Sequence, residues 1–453
     1  MGSLTTALVN SASALQVYDQ VFNVIENNVT NANTPGYVDQ NLSLVASAGA
    51  EGGLVAGPLV SSRSTYLDQA VRTQTEQLGN AQQTASDLSQ IQALFDTTGQ
   101  AGVPGALTAF FSSVSQLSVN PNDQPSRQSV ITAAQGVAQQ FNQNAIGIQQ
   151  TSSNVNAETS GTVASINNMA TQIATVNQQY QNTPDAAQNP GLDAQLNSAL
   201  DQLSQLVSYT AIKTSNGTYN VYIGGQTPLV MGAQSYAISA NFSSAQTAID
   251  DSQGNDITAE LQNNGGTLGS TLQTTNVTLP GYMSSLNTIA QTFADTVNTA
   301  LSQGVDSNGN PPAVNLFQYN AAQGVAATLS ITDISPAQIA AASATAPGGN
   351  GNALAIARLA NQPEVNGSTY TQAYGALGGQ VGQDIATAQQ EQTTQQNLVD
   401  QAQETRSAAT GVSLDAEAAQ MIQFQQAYQA AGELVATLDT MTQTLITMVQ
   451  AAT

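Results

Sequence analysis

Two apolar stripes at opposite ends of the chain set the tightest limit on its fold. Leu4, Leu8, Ser11, Leu15, Tyr18, Phe22, Ile25 and Val29 follow one another at steps of four and three, apolar at every position but Ser11. Such a heptad repeat predicts one long helix with a single sticky seam. Toward the other end Leu414, Ala418, Met421, Phe424, Tyr428, Ala431, Val435, Leu438, Met441, Leu445 and Met448 recur at the same steps. Two seams of this kind can bury each other as a coiled coil, which would bring the chain's ends together. The plainer alternative is that each is an ordinary amphipathic helix of one globular core. The first stripe runs into Asn31-Ala32-Asn33-Thr34-Pro35-Gly36-Tyr37. Pro35 bars Thr34 from the right-handed helical region and Gly36 suits the positive φ of a type II turn, so the helix must stop there.

Between the stripes the pattern is mostly helical. Residues 37–62 carry short apolar runs broken by glycines and predict an extended or hairpin-like connector. A helix resumes near Ser64 on Leu67, Val71, Leu78 and Leu88, and a shorter one carries Leu107, Phe110, Phe111 and Val114. Asn120-Pro121-Asn122-Asp123-Gln124-Pro125 then feeds an unbroken helical pattern reaching Tyr180. Roughly 55 residues at about 1.5 Å each would span some 80 Å, which is a rod rather than a globular helix. From Tyr209 the period changes to two, with Tyr219, Val221 and Ile223 alternating with Asn220, Tyr222 and Gly224. Helical periodicity returns over 281–302 and again over 372–409, where Gly411 ends the run and Ser413 can cap the final helix, with Asp415 and Glu417 near its positive end.

The expected fold is therefore mainly α: an elongated nested helical hairpin with terminal coiled-coil helices and a small inserted β-rich domain. Its expected parts are an N-terminal core helix over 1–36 pairing with 411–453, a helical rod over 37–207 and 273–410, and a β-rich insertion over 208–272 at the far tip of the nest.

Charge excludes several classes of partner. Six Lys and Arg stand against 29 Asp and Glu, a net charge of -23, so a nucleic-acid backbone or an anionic membrane surface would repel the chain. Only 8% of residues are charged, where soluble domains carry about 25%. The chain has no Cys and no His, which removes disulfides, thiol and imidazole nucleophiles and most transition-metal sites. No apolar run approaches the roughly 18 residues of a membrane span, and the N-terminus shows no secretory signal. Lys213 reads as a solvated residue rather than a catalytic amine, and Asp306-Ser307-Asn308-Gly309-Asn310 as a turn, since Pro311 replaces the glycine a calcium loop needs. Arg127 and Arg406 lie in helical contexts, where each can pair with a carboxylate or face solvent. No acid pair stands out as the carboxylates of a glycan hydrolase. No cofactor and no metal is expected.

The stretch Asn27-Asn28-Val29-Thr30-Asn31-Ala32-Asn33-Thr34-Pro35-Gly36-Tyr37 resembles the signature of bacterial flagellar rod, hook and hook-associated proteins. Residues 118–142 around Asn-Pro-Asn-Asp-Gln-Pro-Ser-Arg-Gln, Tyr222-Ile223-Gly224-Gly225-Gln226-Thr227-Pro228-Leu229-Val230, and residues 411–428 narrow the resemblance to the hook-associated protein 1 family. At Leu196-Asn197-Ser198-Ala199-Leu200-Asp201-Gln202-Leu203 the chain departs from that family, which more often carries an arginine and further acids there. The resemblance implies a structural, non-catalytic subunit exported through a type III apparatus without a cleaved signal peptide. It also implies a ring of identical copies between hook and filament. Its partners would be the hook subunit, a second junction protein on the filament side and a cytosolic chaperone for the C-terminal helix. Rival readings are a secreted helical effector or translocator of a type III system, and a carboxylate-based cell-wall glycan hydrolase. On the first reading the assembly seam is the set of apolar stripe positions, joined to the outer body by the turn Asn31, Asn33, Thr34, Pro35, Gly36 and Tyr37.

Overall fold

The computed structural model describes residues 2–47, 52–95, 101–183, 189–244 and 246–451. Helix α1 (Gly2–Asn31) leads through the Pro-Gly turn into an antiparallel hairpin, β1 (Gln40–Ala46) and β2 (Leu54–Ser61). Ser64 caps α2 (Thr65–Ser89) by accepting from the Leu67 backbone N–H. Next come α3 (Gly102–Val119) and α4 (Gln124–Asn182), with Asp123 capping the latter and Pro125 in its first turn. At 59 residues α4 is about 88 Å long. It runs past both apolar cores of the rod.

Helix α5 (Pro190–Leu206) precedes a four-stranded antiparallel sheet of β3 (Tyr209–Lys213), β4 (Tyr219–Ile223), β5 (Thr227–Met231) and β6 (Gln234–Ser235), in sequence order. A second pair, β7 (Ser239–Asn241) and β8 (Ala248–Asp250), follows. The stretch read as β-rich to residue 272 ends instead in two helices, α6 (Thr258–Gln262) and α7 (Gly266–Gln273). A π-helical turn, Thr274–Thr278, then joins α7 to α8 (Leu279–Ser302). Short elements β9 (Gly304–Val305), β10 (Phe317–Gln318), α9 (Val325–Thr328), β11 (Ser330–Ile331), β12 (Ala342–Ser343) and α10 (Gly351–Arg358) lead to α11 (Tyr370–Thr410) and α12 (Leu414–Ala451). Among the described residues no helix is long and apolar enough to cross a membrane.

Two separate apolar cores sit along α4. Its N-terminal half packs Val130, Val137, Phe141 and Ile148 against α3, α8 and α11, around an aromatic knot in which the Phe293 ring lies 5.1 Å from Phe317 and 5.4 Å from both Phe110 and Tyr370. Its C-terminal half packs Ile166, Ile173 and Tyr180 against α5, the four-stranded sheet and α7. Asn177 of α4 locks the sheet in place, donating to the carbonyls of Tyr219 and Gly232 and accepting from the Tyr219 N–H.

The expected nesting holds for the helices: α1 runs with α12, and α2 with α11. The β insertion does not sit at the far tip. Because α4 returns the chain along its whole length, the α5–sheet unit lies beside the Pro-Gly turn, where the Gly36 backbone meets Ala194 of α5. The opposite end of α4 is the α3–α4 turn, where Asn122 donates to the Gly348 carbonyl and Asn350 to the Ser118 carbonyl.

Candidate assembly site at the root of the terminal helices

Helices α1 and α12 pack through tilted aromatic contacts, Tyr18 with Phe424 at 5.9 Å and Phe22 with Tyr428 at 6.0 Å between ring centres. Leu4, Leu8, Leu15, Tyr18 and Phe22 are half-buried and Ile25 is buried, while Val29 is exposed. On α12, Met421, Phe424, Val435 and Leu438 are half-buried, and Leu414, Tyr428, Met441 and Leu445 are exposed. The deepest positions of α1 are Ser11, Val17, Val21, Ile25 and Asn28. This shift from the expected stripe follows from the β1–β2 hairpin, which covers α1 from a second side. Ile422, Leu434, Ile446, Met448 and Val449 add to the bare apolar flank of α12.

The turn residues form a tight local unit. Thr34 donates from N to the Asn31 carbonyl (2.8 Å) and from Oγ1 to Asn31 Oδ1 (3.1 Å), and the Tyr37 N–H reaches the Thr34 carbonyl at 3.1 Å. Gly36 takes φ +77°, as the turn requires. Asn33 and Pro35 are exposed.

The side chain that ties this turn to the rest is Asn28, 1% exposed. Its Nδ2 donates to Asp39 Oδ1 at 2.9 Å, the Gln40 carbonyl at 2.8 Å and Glu417 Oε1 at 3.0 Å. Its Oδ1 accepts from the Gln40 N–H at 3.1 Å and the Tyr37 hydroxyl at 2.9 Å. One amide thus joins the end of α1, the connector and the first turn of α12. Ser413 caps α12 by accepting from the Ala416 N–H, as its position predicts. Glu417, expected only to face the helix's positive end, is buried instead, with Oε2 lacking a hydrogen-bond partner. Burial, and the neighbouring Asp39 carboxylate, hold the Glu417 carboxyl above the ordinary glutamate range, against the opposing pull of Asn28. Burial, Asp39 and Glu417 together push the Tyr37 hydroxyl up to about 12.

A second cluster fastens this root to the rod. Arg63 pairs with Asp193 at 2.6 Å and Asp68 at 3.1 Å and donates to the Gly36 carbonyl at 2.5 Å. Arg72 pairs with Asp201 at 2.7 Å and reaches Asn197 Oδ1 at 2.8 Å. Arg406 pairs with Asp201 at 2.8 Å and Asp68 at 3.4 Å. Three arginines thus balance three aspartates where the connector, α2, α5 and α11 meet, and the stretch 196–203 takes part through Asn197 and Asp201. The Asp39 N–H and the Ser62 hydroxyl both donate to the Thr410 carbonyl, closing the same joint from the connector side. Arg127 pairs with no carboxylate; it is buried and donates to the carbonyls of Pro121, Pro336, Ala337 and Ile339. Lys213 is exposed, over the Tyr219 ring, and Asp306 Oδ1 accepts the Asn308 and Asn310 N–H groups as a turn.

Sequence reasoning gave no contact to Asn28, Asp39, Arg63 or Arg72, and gave Glu417 only a place at the positive end of the final helix. One signal was available: with only six basic residues in the chain, Arg63 and Arg72 flanking Asp68 mark a place where charge must be matched.

A helical rod whose two ends form one helix pair, locked to the body at a Pro-Gly turn, defines an elongated, mainly α-helical protein whose termini meet. The profile of the flagellar hook-associated protein FlgK helical domain matches residues 88–317, and that of the flagellar basal body rod FlgEFG protein C-terminal region matches 394–448. The chain belongs to the flagellar hook-associated protein FlgK family. It is 27% identical to flagellar hook-associated protein 1 of Bacillus subtilis, covering 97% of each chain. It is 26% identical to that of Salmonella typhimurium, covering 97% of this chain and 99% of the relative. The solved flagellar hook junction protein FlgK from Burkholderia pseudomallei shares the fold, with a TM-score of 0.68 at 18% identity over 75% of this chain and 99% of that one.

Proposed function

We propose that the chain is a structural junction subunit of the bacterial flagellum, connecting hook to filament as a ring whose copies pack through their terminal helices. The observation that carries this is the bare apolar flank of the terminal pair: Leu414, Ile422, Leu434, Met441, Leu445 and Met448 of α12 all lie exposed in the single chain. Covering such a surface contributes about 25 cal/mol per Å² of apolar area, and neighbouring copies offer the same surface. The low charge density lets copies approach without desolvating many ions. The names of the relatives fit this reading, in which the domain boundaries are those set out from the sequence, revised at the β insertion.

On this reading the seam positions of α1 and α12 mediate ring packing, and the turn Asn31–Tyr37 transmits load from core to outer body. The partners are other copies, the hook subunit below, a second junction protein above, and a chaperone that covers α12 before export. The mature protein is extracellular on the flagellum and leaves the cell without a cleaved signal. The role is mechanical and needs no catalysis.

Deleting residues 1–40 in the producing bacterium tests this. Microscopy is expected to show hooks without filaments, with filament protein released into the medium. Filaments of normal length on intact hooks would overturn the proposal.

A further inference from the structure

The two apolar cores do not touch along α4. The first ends at Ile148 and the second begins at Val163, and on the neighbouring strand of chain the second ends at Leu272 and the first resumes at Leu279. The gap is a waist in which α4 buries Thr151, Thr159 and Thr162 with Val155 as its one apolar residue, beside α2 and the π-turn Thr274–Thr278. Thr274 and Asn276 are buried there, and Asn276 exchanges hydrogen bonds of 2.8 and 2.9 Å with the Thr247 backbone. Thr247 in turn donates to Asn156 of α4 at 2.7 Å. π-turns concentrate at functional positions because their extra residue loosens the helical ladder.

In this waist sits a fully buried carboxyl. Asp87 of α2 is 0% exposed, and its Oδ2 has no hydrogen-bond partner. Gln83 donates from a single Nε2 to Asp87 Oδ1 at 2.6 Å and to Glu158 Oε2 of α4 at 2.5 Å. Two carboxylates are thereby held within reach of one nitrogen, Asp87 buried and Glu158 half-buried. Among the described residues no cation is on hand. Arg63, Arg72 and Arg406 are spent on the root cluster, Arg127 on backbone carbonyls, and Lys213 lies over Tyr219. The sixth basic residue, Arg358, ends α10 beside the far core. The neutral groups facing Asp87 are Gln83 and Thr274, and the charged one is Glu158. On α11, whose register is set by Arg406 with Asp68 of α2 and by Tyr374 with Leu94 in the turn that follows α2, the carboxylate at this level is Asp384, which already accepts from Tyr282 and Gln380.

We propose that Asp87, Gln83 and Glu158 form a proton-binding site that stiffens the waist. One proton rides on Asp87 Oδ2 and is donated to Glu158, clamping α2 to α4 beneath the π-turn. Its loss leaves two adjacent negative charges in the joint and lets the two cores flex against each other. The Gln83 amide, turned with its NH₂ group toward both carboxylates, suits a proton-bridged pair and opposes a metal cation, which would need oxygen there. Glu417 and Asp39, bridged by the Asn28 amide, repeat the same arrangement at the root.

The direction of titration agrees. Burial first, and then Glu158, push the Asp87 carboxyl up to about 7, with Gln83 and Thr274 pulling the other way. The folded value thus exceeds the ordinary 3.8, so the folded waist holds an extra proton between the two. The clamp is at full strength below 3.8, weakens as pH rises through that window, and is weakest above about 7.

Amide hydrogen exchange of 151–162 and 274–278 in the full-length chain, corrected for intrinsic rates, tests this across about pH 4 to about pH 9. The opening equilibrium of the waist is expected to rise by up to about tenfold per pH unit within the window and then level off. Asp87→Asn, whose amide donates to Glu158 at every pH, is expected to flatten that rise, and Glu158→Gln to reduce it, since burial still acts on Asp87. Infrared spectra near neutral pH are expected to show a protonated-acid carbonyl band that Asp87→Asn removes and Glu417→Gln does not. An unchanged pH profile in both waist variants would overturn the proposal, as would the absence of any acid band traceable to Asp87. A profile shifted by millimolar calcium or magnesium and restored by a chelator would overturn it in favour of a cation site. If Asp87→Asn does not fold, Glu158→Gln and the wild-type infrared titration decide the matter.

Discussion

Replacing Asn28 with alanine should open the root of the terminal helices while sparing the rod. The side chain makes five hydrogen bonds, and its loss leaves the buried Gln40 N–H and carbonyl and the buried Glu417 carboxyl without their partner. Each orphaned buried group costs about 1–3 kcal/mol. Asp39 and Tyr37 are half-buried and can turn to water, so they add little. Allowing for relaxation, the local cost is about 3–5 kcal/mol, at the upper end for single substitutions. Both apolar cores lie elsewhere, so the damage should be confined to the first turn of α12 and residues 37–41. Amide exchange measures this directly: protection at 38–40 and 413–418 is expected to fall by at least about a hundredfold, which corresponds to about 2.7 kcal/mol. Amides around Phe293 should keep theirs. The exposed neighbour serves as control, since Asn27→Ala should stay within about 0.5 kcal/mol of the wild type. Unchanged protection at the root in Asn28→Ala would refute the claim that this one amide holds the junction.

Three further outcomes follow from the structure. Gly36→Ala places a side chain on a residue at φ +77° and a Cβ 2.5 Å from the Ala194 carbonyl oxygen, so it should destabilise the root by about 2–3 kcal/mol in denaturant titrations. Gly136→Ala, inside α4 with nothing near its Cβ, should instead stabilise by about 0.5–1 kcal/mol. The Glu417 carboxyl lies above its ordinary 4.5 when α12 is docked, so docking should be strongest below that value and weaken as pH rises through the docked one. Exchange at 413–420 should follow that course, and Glu417→Gln should remove it.

Much of the architecture was legible because helices announce themselves through short-range periodicity. The heptad stripes, the long run closing at Tyr180, the Ser413 cap and the Pro-Gly stop each depend on residues within a turn or two of one another. The change of period at Tyr219 marked the sheet for the same reason, while the later Thr- and Gly-rich stretch hid α6 and α7, since neither residue type signals a helix.

The chain alone determined where the long helices run and stop, and that its two ends carry seams able to meet. Tertiary structure alone decided which buried polar groups meet: Asn28 and Glu417 are separated by 389 positions, Arg406 and Asp68 by 338. No local pattern encodes such pairs, because a charge or amide far along the chain becomes a partner only once the rods have set their register. The return run of α4 likewise brought the sheet to the root, a matter of helix length and direction summed over the whole molecule.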